Sequence, residues 1–202
     1  MPQVSAQSRQ LAIKKACRNL KAGELIAYPT EAVFGLGCDA LNTRALKKLR
    51  AIKNRTRHKG FIVICSSVEQ LKKSFPNINL TKQQWGQLTQ KQNHPTTWLL
   101  PIEHNVKQSR NRYLIGNNIT LAVRITEHPV AKALCESFDG PIVSSSANKA
   151  GARPAKKLIQ VRKNFRNKIK NYVTGALGDS FEPSQIIDIK TGKVIRAVQQ
   201  RP

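Results

Sequence analysis

The sequence contains little negative charge. Eleven Asp and Glu stand against 35 Lys and Arg in 202 residues, which gives a formal net charge of +24 and a pI near 10.5. A field of this sign attracts polyanions, above all nucleic acid, and speeds encounter with anionic substrates. A general basic bias gives the same number, so the charge alone identifies no site.

The chain also lacks the cysteine spacings of metal and disulfide sites. None of its four cysteines forms a C-x-x-C pair, and two of them fall in segments that read as core helix or strand. The pattern predicts buried, reduced thiols and argues against a zinc site or a disulfide framework at Cys17, Cys38, Cys65 and Cys135.

Targeting and membrane signals are absent from the sequence. The first ten residues, M-P-Q-V-S-A-Q-S-R-Q, lack the apolar core of a signal peptide. No apolar run approaches the roughly 18 residues that span a bilayer. We therefore expect a soluble, cytoplasmic protein.

The common catalytic signatures are missing as well. The sequence has no P-loop, no G-x-G-x-x-G, no H-E-x-x-H and no G-x-S-x-G, which argues against the nucleotide, zinc and serine hydrolase classes that carry them. The histidines stand apart without ligand spacing, and we predict surface or loop positions for His58, His94, His104 and His128.

What is present is an alternation of helical and extended segments, with 40% apolar residues. Several connections are too short for βαβ crossovers, which predicts one α/β domain over residues 1–202 with a mixed sheet, and a mobile loop at 101–118. Periodicity predicts helices at 8–19, after an N-cap at Asn42, and at 68–73, 81–90, 128–138 and about 156–165. It predicts strands at 24–28, 61–65, 96–100, 120–125, 141–144, Tyr172, 185–189 and 194–198.

Three segments carry unusual chemistry. The first, Y-P-T-E-A-V-F-G-L-G-C-D at 28–39, ends a strand and places glycines at 35 and 37. Glycines allow a close backbone approach to a ligand or a sharp turn. A purely structural turn between a strand and a helix explains this segment equally well.

The second segment is the basic cluster K-N-R-T-R-H-K-G at 53–60. If it is extended, Lys53, Arg55, Arg57 and Lys59 share one side. Converging cations repel one another unless an anion such as phosphate or carboxylate joins them. An exposed charge run is the equally weighted alternative.

The third segment is I-V-S-S-S-A-N-K-A-G at 142–151, where an apolar strand ends in three hydroxyls and an Asn. Short hydrogen-bonding side chains and backbone donors together suit phosphate oxygens. A serine-rich loop without function is the alternative.

In order along the chain, these segments resemble the YrdC-like family. The resemblance rests on A-Y-P-T-E-A-V-F-G-L-G-C-D-A, K-N-R-T-R-H-K-G, L-A-V-R-I-T-E-H-P, S-S-S-A-N-K-A-G and P-S-Q-I-I-D with the later Arg196, and it covers about residues 11–198. It implies a single domain whose twisted mixed sheet and flanking helices surround a deep basic cavity.

The resemblance also implies an enzyme, a nucleotidyltransferase. The reaction joins L-threonine, bicarbonate or CO2 and ATP into L-threonylcarbamoyl-AMP and releases diphosphate, the first step of tRNA threonylcarbamoyladenosine modification. Downstream transferase proteins pass the group to tRNA. A carbamate that attacks the α-phosphorus of ATP needs several cations but no Ser or Cys nucleophile, which agrees with the absences above. Mg2+ on the phosphates is expected, with its protein ligand unknown and Glu31 a candidate.

Residue roles carry over from the same match. Arg124 is a natural partner for the threonine carboxylate, and Thr120 lies on the same strand face. The implied assignments are Lys53 and Arg55 for catalysis; Arg55, Lys59, Thr120, Ser144, Ser146, Asn148 and Arg196 for ATP; and Thr30, Arg124 and Ser184 for threonine.

The chain departs from the family pattern at several positions. Thr56 and Gly60 stand where many relatives have proline, which loosens the basic loop. Phe34 replaces a common Tyr, His94 a usual Gly, and Gln185 a usual Thr. None removes a residue assigned to catalysis. Arg57 and His58 face either the cavity or the outer surface.

Two alternatives remain beside the synthase. A tRNA or double-stranded RNA binding module without catalysis would bind with steep salt dependence through cations outside the motifs. A structural or ribosome-assembly role would involve no nucleotide binding. RNA affinity is also compatible with the enzyme, because +24 exceeds what one ATP pocket requires.

Overall fold

The computed structural model describes residues 6–102, 109–149, 151–180 and 183–198. Within these ranges the helices are α1 Ala6–Lys21, α2 Thr43–Lys53, α3 Val68–Ser74, α4 Lys82–Thr89, α5 Ser109–Ile115, α6 Pro129–Phe138 and α7 Leu158–Phe165. The strands are β1 Ile26–Pro29, β2 Phe34–Gly37, β3 Ile62–Cys65, β4 Thr96–Pro101, β5 Thr120–Ile125, β6 Ile142–Ser146, β7 Asn171–Tyr172, β8 Gln185–Asp188 and β9 Val194–Arg196.

Helix α2 shows why the sequence folds locally as it does. The Asn42 side chain accepts a hydrogen bond from the Ala45 N–H and caps the helix start, as predicted. Leu46 and Leu49 are fully buried on one face. The helix ends at Asn54, whose left-handed conformation (φ 47°) lets its N–H bond back to the last turn. The basic cluster therefore begins on a helix and turns sharply, so the condition under which its four cations would share one side is not met.

The strands form one mixed sheet in the order β7-β1-β2-β6-β3-β5-β4-β8-β9, counted over the described residues. Strand β3 runs parallel to β5 and antiparallel to β6, its other neighbour. The predicted α/β fold with a mixed sheet is confirmed.

Two apolar clusters cover the two faces of the sheet. On one face α1 and α6 pack over Ile26, Tyr28, Ile64 and Ile142. On the other face lies a larger cluster to which α2, α3, α4, α5 and α7 contribute. The polar residues of β5 and β6 on this face, Arg124, Ser144 and Ser146, lie outside the α1/α6 cluster.

Two sequence predictions need correction. Residues 34–37 form strand β2, so the two glycines of the first segment lie within a strand and not in a turn. Helix α5 occupies Ser109–Ile115 in the predicted loop at 101–118, of which 103–108 are outside the described residues. His128 lies in the loop ahead of α6, as predicted, but it is 5% exposed and its side chain caps the helix. His104 lies outside the described residues.

The glycines of β2 are explained by packing against the protein itself. A Cβ at Gly37 would lie 2.6 Å from Tyr28 Cε1 and 2.8 Å from the Val143 carbonyl oxygen. The close approach predicted for this position is present, but its partners are neighbouring strands. The Tyr28 hydroxyl donates to the Val143 carbonyl oxygen across the gap (3.1 Å).

All four cysteines are buried and free, which confirms the predicted reduced thiols. Burial raises the pKa of the Cys65 thiol to about 12, so this thiol stays protonated. No helix among the described residues has the length and apolar character to cross a membrane.

Candidate active site

The register of four adjacent strands builds the floor of a cavity. Gly35 of β2 pairs with Ser146 of β6, and Ser144 of β6 pairs with Ile62 of β3. Arg124 of β5 pairs with Ile64 of β3. Directly paired residues and alternate residues along a strand share a face. These side chains therefore lie on the α1/α6 face, beyond the helices.

The cavity measures about 240 Å³ and gathers residues from all parts of the chain. The β1–β2 turn, the loop after α2, the segment before β8 and strand β9 form its walls. Seven of the residues predicted for the site line it: Thr30, Arg55, Arg124, Ser144, Ser146, Ser184 and Arg196.

At the base of the cavity Arg124 forms a buried ion pair with Glu31. The Arg124 Nη2 atom lies 3.1 Å from Glu31 Oε2, and the Thr126 hydroxyl donates to Glu31 Oε1 at 2.8 Å. Burial raises the pKa of the Glu31 carboxyl, but Arg124 and these hydrogen bonds outweigh it and leave the pKa below its ordinary value. Glu31 is therefore ionised at neutral pH.

Two polar atoms of this pair keep unused hydrogen-bonding capacity. Arg124 Nε and Glu31 Oε2 are buried and have no hydrogen-bond partner within the described structure. A guanidinium N–H without a partner and a carboxylate oxygen held only by its ion pair suit a ligand that carries both a carboxylate and an amine.

Two further guanidinium groups form the rest of the cationic lining. Arg55 donates to the Gly60 carbonyl oxygen and lies over the Phe61 ring, 5.0 Å from its centroid. Arg196 Nε donates to the Ser184 carbonyl oxygen at 3.1 Å. Burial lowers the pKa of both guanidinium groups, and a nearby arginine lowers it further by a smaller amount. An anion bound beside either group would therefore stabilise its charged form.

Lys53 does not line the cavity. Its side chain instead forms hydrogen bonds with the serine-rich turn at 146–148. Its ammonium donates to the carbonyl oxygens of Ser146 and Asn148, at 2.6 Å each, and to Asn148 Oδ1 at 3.0 Å. The Ser146 hydroxyl donates to the same Oδ1 at 2.7 Å. Burial, with a smaller contribution from Arg55, lowers the pKa of Lys53 to about 8. The hydrogen bonds of Lys53 and Asn148 thus fix the conformation of this turn.

The other predicted residues lie apart from the cavity. Lys59 is exposed and pairs through its backbone with Gly116, and Thr120, although on the same strand face as Arg124, is not in the lining. Arg57 and His58 are exposed, and His58 Nδ1 lies 2.7 Å from Asn117 Nδ2. The open question about these two residues is resolved in favour of the outer surface.

The hydroxyls of Thr30 and Ser184, which are predicted to bind threonine, already have protein partners. Thr30 Oγ1 donates to the Val33 carbonyl oxygen at 2.7 Å, and the hydroxyls of Ser184 and Thr97 lie 2.8 Å apart. A hydroxyl that donates to the protein still accepts from a ligand.

A second cavity of about 750 Å³ adjoins the first and shares Glu31, Pro95 and Arg124 with it. His94, one of the departures from the family pattern, lines this second cavity. Sequence reasoning missed the ion pair that separates the two cavities, because residues 31 and 124 meet only when β1 and β5 are placed in the sheet. The polar Thr-Glu pair after β1 was the one available signal.

Comparison with known proteins decides the family. The family model Sua5_yciO_yrdC, described as "Telomere recombination", matches residues 18–198. The chain belongs to the Sua5/YciO/YrdC family. This confirms the resemblance drawn from the five motifs.

Curated members of the Sua5/YciO/YrdC family are similar over most of their length. A protein of Saccharophagus degradans named threonylcarbamoyl-AMP synthase is 42% identical over 92% of this chain and 94% of its own. One of Marinobacter nauticus with the same name is 41% identical over 93% of this chain and 95% of its own.

Solved structures of the family share the fold. P. abyssi Sua5 complexed with L-threonine has a TM-score of 0.81 and 26% identity, covering 98% of this chain and 56% of that one. The present chain thus spans about half of the Sua5 chain. E. coli YciO, at 22% identity and a TM-score of 0.74 over 94% of this chain and 90% of its own, shares the fold.

Proposed function

We propose that this protein is a threonylcarbamoyl-AMP synthase, a nucleotidyltransferase that converts L-threonine, bicarbonate or CO2 and ATP into L-threonylcarbamoyl-AMP and diphosphate. The observation that carries the proposal is one cavity lined by three guanidinium groups, one carboxylate and the hydroxyls at the end of β6. The two bacterial relatives above, similar over nearly their full length, carry this name.

The Glu31–Arg124 pair would receive threonine. The unpartnered Arg124 Nε would donate to the threonine carboxylate, and Glu31 Oε2 would accept from its amine. Thr30 and Ser184 line the same space and would contact the remaining polar atoms of threonine. This arrangement would hold the amine in place while it is carboxylated to the carbamate.

Arg55 and Arg196 would face the phosphates of ATP, together with Ser144 and Ser146. The carbamate oxygen attacks the α-phosphorus and the bond to the β-phosphate oxygen breaks, so diphosphate leaves with the bonding electrons. Nucleophile and leaving group are both anionic, and preorganised guanidinium groups lower their repulsion in the transition state. Direct ATP contacts by Lys53, Lys59, Thr120 and Asn148 stay predictions.

Magnesium fits this cavity as part of the substrate. The described residues hold no cluster of three or more His, Cys, Asp or Glu, and the one carboxylate in the cavity is paired with Arg124. Mg2+ is commonly held by phosphates and water with few protein ligands. We infer that it would enter with ATP and neutralise phosphate charge there.

The direct test is threonine-dependent diphosphate release. The protein is incubated with L-threonine, bicarbonate, Mg-ATP and pyrophosphatase, and phosphate is measured with and without threonine. We expect turnover that requires all three substrates and that falls at least about a hundredfold in Arg55→Ala. No threonine-dependent release above the Lys53→Ala and Arg55→Ala controls would contradict the proposal.

A second function, contact with RNA, is favoured by a basic groove on α7. The groove, about 680 Å³, is lined by Arg162, Lys163 and Arg166, with Arg162 over the ring of Tyr172. Between Asp139 and Asp179 the sequence has no acidic residue and nine basic ones: Lys149, Arg153, Lys156, Lys157, Arg162, Lys163, Arg166, Lys168 and Lys170. No salt bridge of the described structure neutralises any of them. Such a surface suits the phosphate backbone of tRNA or double-stranded RNA.

The RNA contact is tested by replacing the three groove cations with alanine. The control replaces Lys14, Lys15 and Arg18, three exposed cations of α1. We expect the groove variant to bind tRNA at least about tenfold more weakly at low salt and to lower the salt slope by about two to three, while the control changes little. Equal losses in both variants would mean that only the net charge matters.

The remaining expectations complete the proposal. The unstable mixed anhydride formed here would be consumed by a transferase that acylates an adenosine of tRNA, and both proteins would work in the cytoplasm, where ATP and tRNA are. Residues 1–202 would act as one domain.

A further inference from the structure

Arg50 is a buried cation outside the predicted site. It lies in the last turn of α2, next to the basic loop at 54–60, and is 8% exposed. It does not line the cavity. No salt bridge of the described structure involves it, so its charge is compensated without a carboxylate.

The guanidinium group of Arg50 joins three segments of the chain. Its Nε donates to the Tyr113 carbonyl oxygen of α5 at 3.0 Å. Its Nη1 donates to the Thr56 carbonyl oxygen at 2.7 Å, and its Nη2 to the Lys59 carbonyl oxygen at 2.9 Å. The planar fork thus holds both ends of the turn 56–59 with two separate nitrogens, a fixed geometry that the single nitrogen of a lysine does not reproduce.

The same turn is docked on the end of α5. Lys59 and Gly116 form an antiparallel bridge, and the Asn117 N–H donates to the His58 carbonyl oxygen. Gly116 has φ +67°, and a Cβ there would lie 2.5 Å from the His58 carbonyl oxygen. Backbone contacts therefore fix one side of the turn, and Arg50 fixes the other.

Arg55 depends directly on this arrangement. Its N–H donates to the Arg50 carbonyl oxygen at 3.0 Å, and its guanidinium donates to Gly60 at the far end of the turn. The guanidinium groups of Arg50 and Arg55 both lie over the ring of Phe61, at 5.1 and 5.0 Å from its centroid. A shift of the turn would move Arg55 within the cavity.

Burial of the charged Arg50 side chain destabilises the protein unless interactions of its guanidinium group compensate. Burial lowers the pKa of the Arg50 guanidinium, and its charge contributes to lowering the pKa of Arg55. An apolar side chain of similar length would avoid both penalties. What only Arg50 provides is the simultaneous bond to the two carbonyl groups of the turn.

We propose that Arg50 is a positioning residue for ATP binding, which holds the turn 56–59 so that the Arg55 guanidinium is presented to the nucleotide phosphates before ATP arrives. The inference rests on the proposed function only in taking ATP as the ligand. Its mechanism is preorganisation, in which ordering that is complete in the free protein does not oppose binding.

A double-mutant cycle on ATP affinity tests the proposal. The dissociation constant of Mg-ATP is measured by calorimetry without threonine for wild type, Arg50→Met, Arg55→Met and the double variant. We expect Arg50→Met to weaken binding about tenfold, because it releases charge-assisted bonds that position Arg55. In the Arg55→Met background the same change should have less than about a twofold effect, since residues that act through one another are not additive.

The matched control is Arg57→Met, which removes the same charge from an exposed side chain of the same turn. It should change ATP affinity by less than about twofold. The proposal is overturned if Arg50→Met binds ATP like wild type, if Arg57→Met binds as weakly as Arg50→Met, or if the Arg50 effect persists undiminished without Arg55.

A conservative variant separates positioning from folding. Arg50→Lys keeps the charge but has one nitrogen in place of the three that bind the Tyr113, Thr56 and Lys59 carbonyl groups, so it should fold and still lose ATP affinity. If Arg50→Met does not fold, the cycle is run with Arg50→Lys, and wild-type affinity in that variant overturns the proposal. Failure of the synthase proposal itself is recognised separately, because wild type would then bind ATP without threonine-dependent turnover.

Discussion

Lys53 shows how a single residue can match a motif and have a different environment from the one expected. The basic cluster predicted a phosphate-facing ammonium, yet the structure places its three hydrogen bonds on the Ser146–Asn148 turn. Its charge supports the cavity indirectly, through the position of the serine hydroxyls. Protonation of Lys53 should therefore affect activity.

Loss of the Lys53 charge should limit activity at alkaline pH. Burial lowers the pKa of Lys53 to about 8, so kcat/KM for ATP is expected to fall as pH rises through that value. In Lys53→Arg the guanidinium stays charged, and the decline should move up by about one pH unit or more. Lys47→Arg, on the exposed side of the same helix, is the control. A decline at the same pH in Lys53→Arg and wild type would contradict this assignment.

At the scale of elements, strand β2 and helix α6 are held by unusual residues. Gly37 permits the close contact between β1, β2 and β6. His128 is the N-cap residue of α6, a position where Ser, Thr, Asp or Asn is more common. The His128 Nδ1 accepts from the Ala131 N–H, and its Nε2 lies 3.1 Å from the Ala176 carbonyl oxygen. One ring nitrogen accepts and the other donates, which requires the neutral imidazole.

Alanine at Gly37 should destabilise the protein. The added Cβ would meet Tyr28 and the Val143 backbone, and overpacking of this kind costs about 2 kcal/mol or more of the free energy of unfolding. The matched control is Gly86→Ala within α4, where a Cβ meets nothing within 4 Å. There alanine should stabilise by up to about 1 kcal/mol through its helix propensity. Urea unfolding measures both changes, and a neutral Gly37→Ala would refute the packing argument.

The stability of the protein should fall in mild acid because of His128. Burial lowers the pKa of its imidazole, despite the opposing effect of Glu31. The unfolded chain binds the proton near pH 6.5 and the folded protein only at lower pH, so stability is complete above about 6.5 and decreases below it, by at most about 1.4 kcal/mol per pH unit. His128→Asn keeps a capping side chain that does not titrate.

Urea unfolding of His128→Asn and wild type at pH 7.5 and 5.5 checks this expectation. The variant should lose less stability between the two pH values than wild type does. Equal losses would assign the acid sensitivity to other groups, among which Glu31 faces His128 and titrates at lower pH.

At the scale of the whole molecule, a charge of +24 acts on every anionic ligand. The sheet brings Arg55, Arg124 and Arg196 to one cavity, while the α7 groove is a separate cationic surface. The long-range field should steer ATP towards the protein and leave a neutral zwitterion unaffected.

Salt should therefore affect the two substrates differently. Raising the ionic strength from about 0.05 to about 0.5 M shortens the Debye length from about 14 to about 4 Å. We expect the KM for Mg-ATP to rise several-fold and the KM for threonine to change by less than about twofold, as measured by initial rates at saturating co-substrate. An equal rise of both would point to a general effect of salt on the enzyme.

Much of the fold could be predicted because its signals are local. The N-cap at Asn42 and the apolar run of β3 depend on near neighbours in the chain, and both are present in the structure. Strand β2 and helix α5 were missed, since glycine pairs and Asn-rich segments usually indicate turns and loops. In β2 the requirement for glycine comes from Tyr28 and Val143, which are distant in sequence or on another strand.

The sequence by itself determined the family, through the order of five motifs, and the cationic character of the molecule, because both depend only on residue identity. Tertiary structure alone decided which cations line the cavity. Arg55 and Arg196 line it, Lys53 holds the adjoining turn, and Arg57 is exposed. The reason is geometric: a helix end and a sharp turn at 53–60 send consecutive charges in different directions, and long-range contacts such as Arg50 to Tyr113 fix that turn.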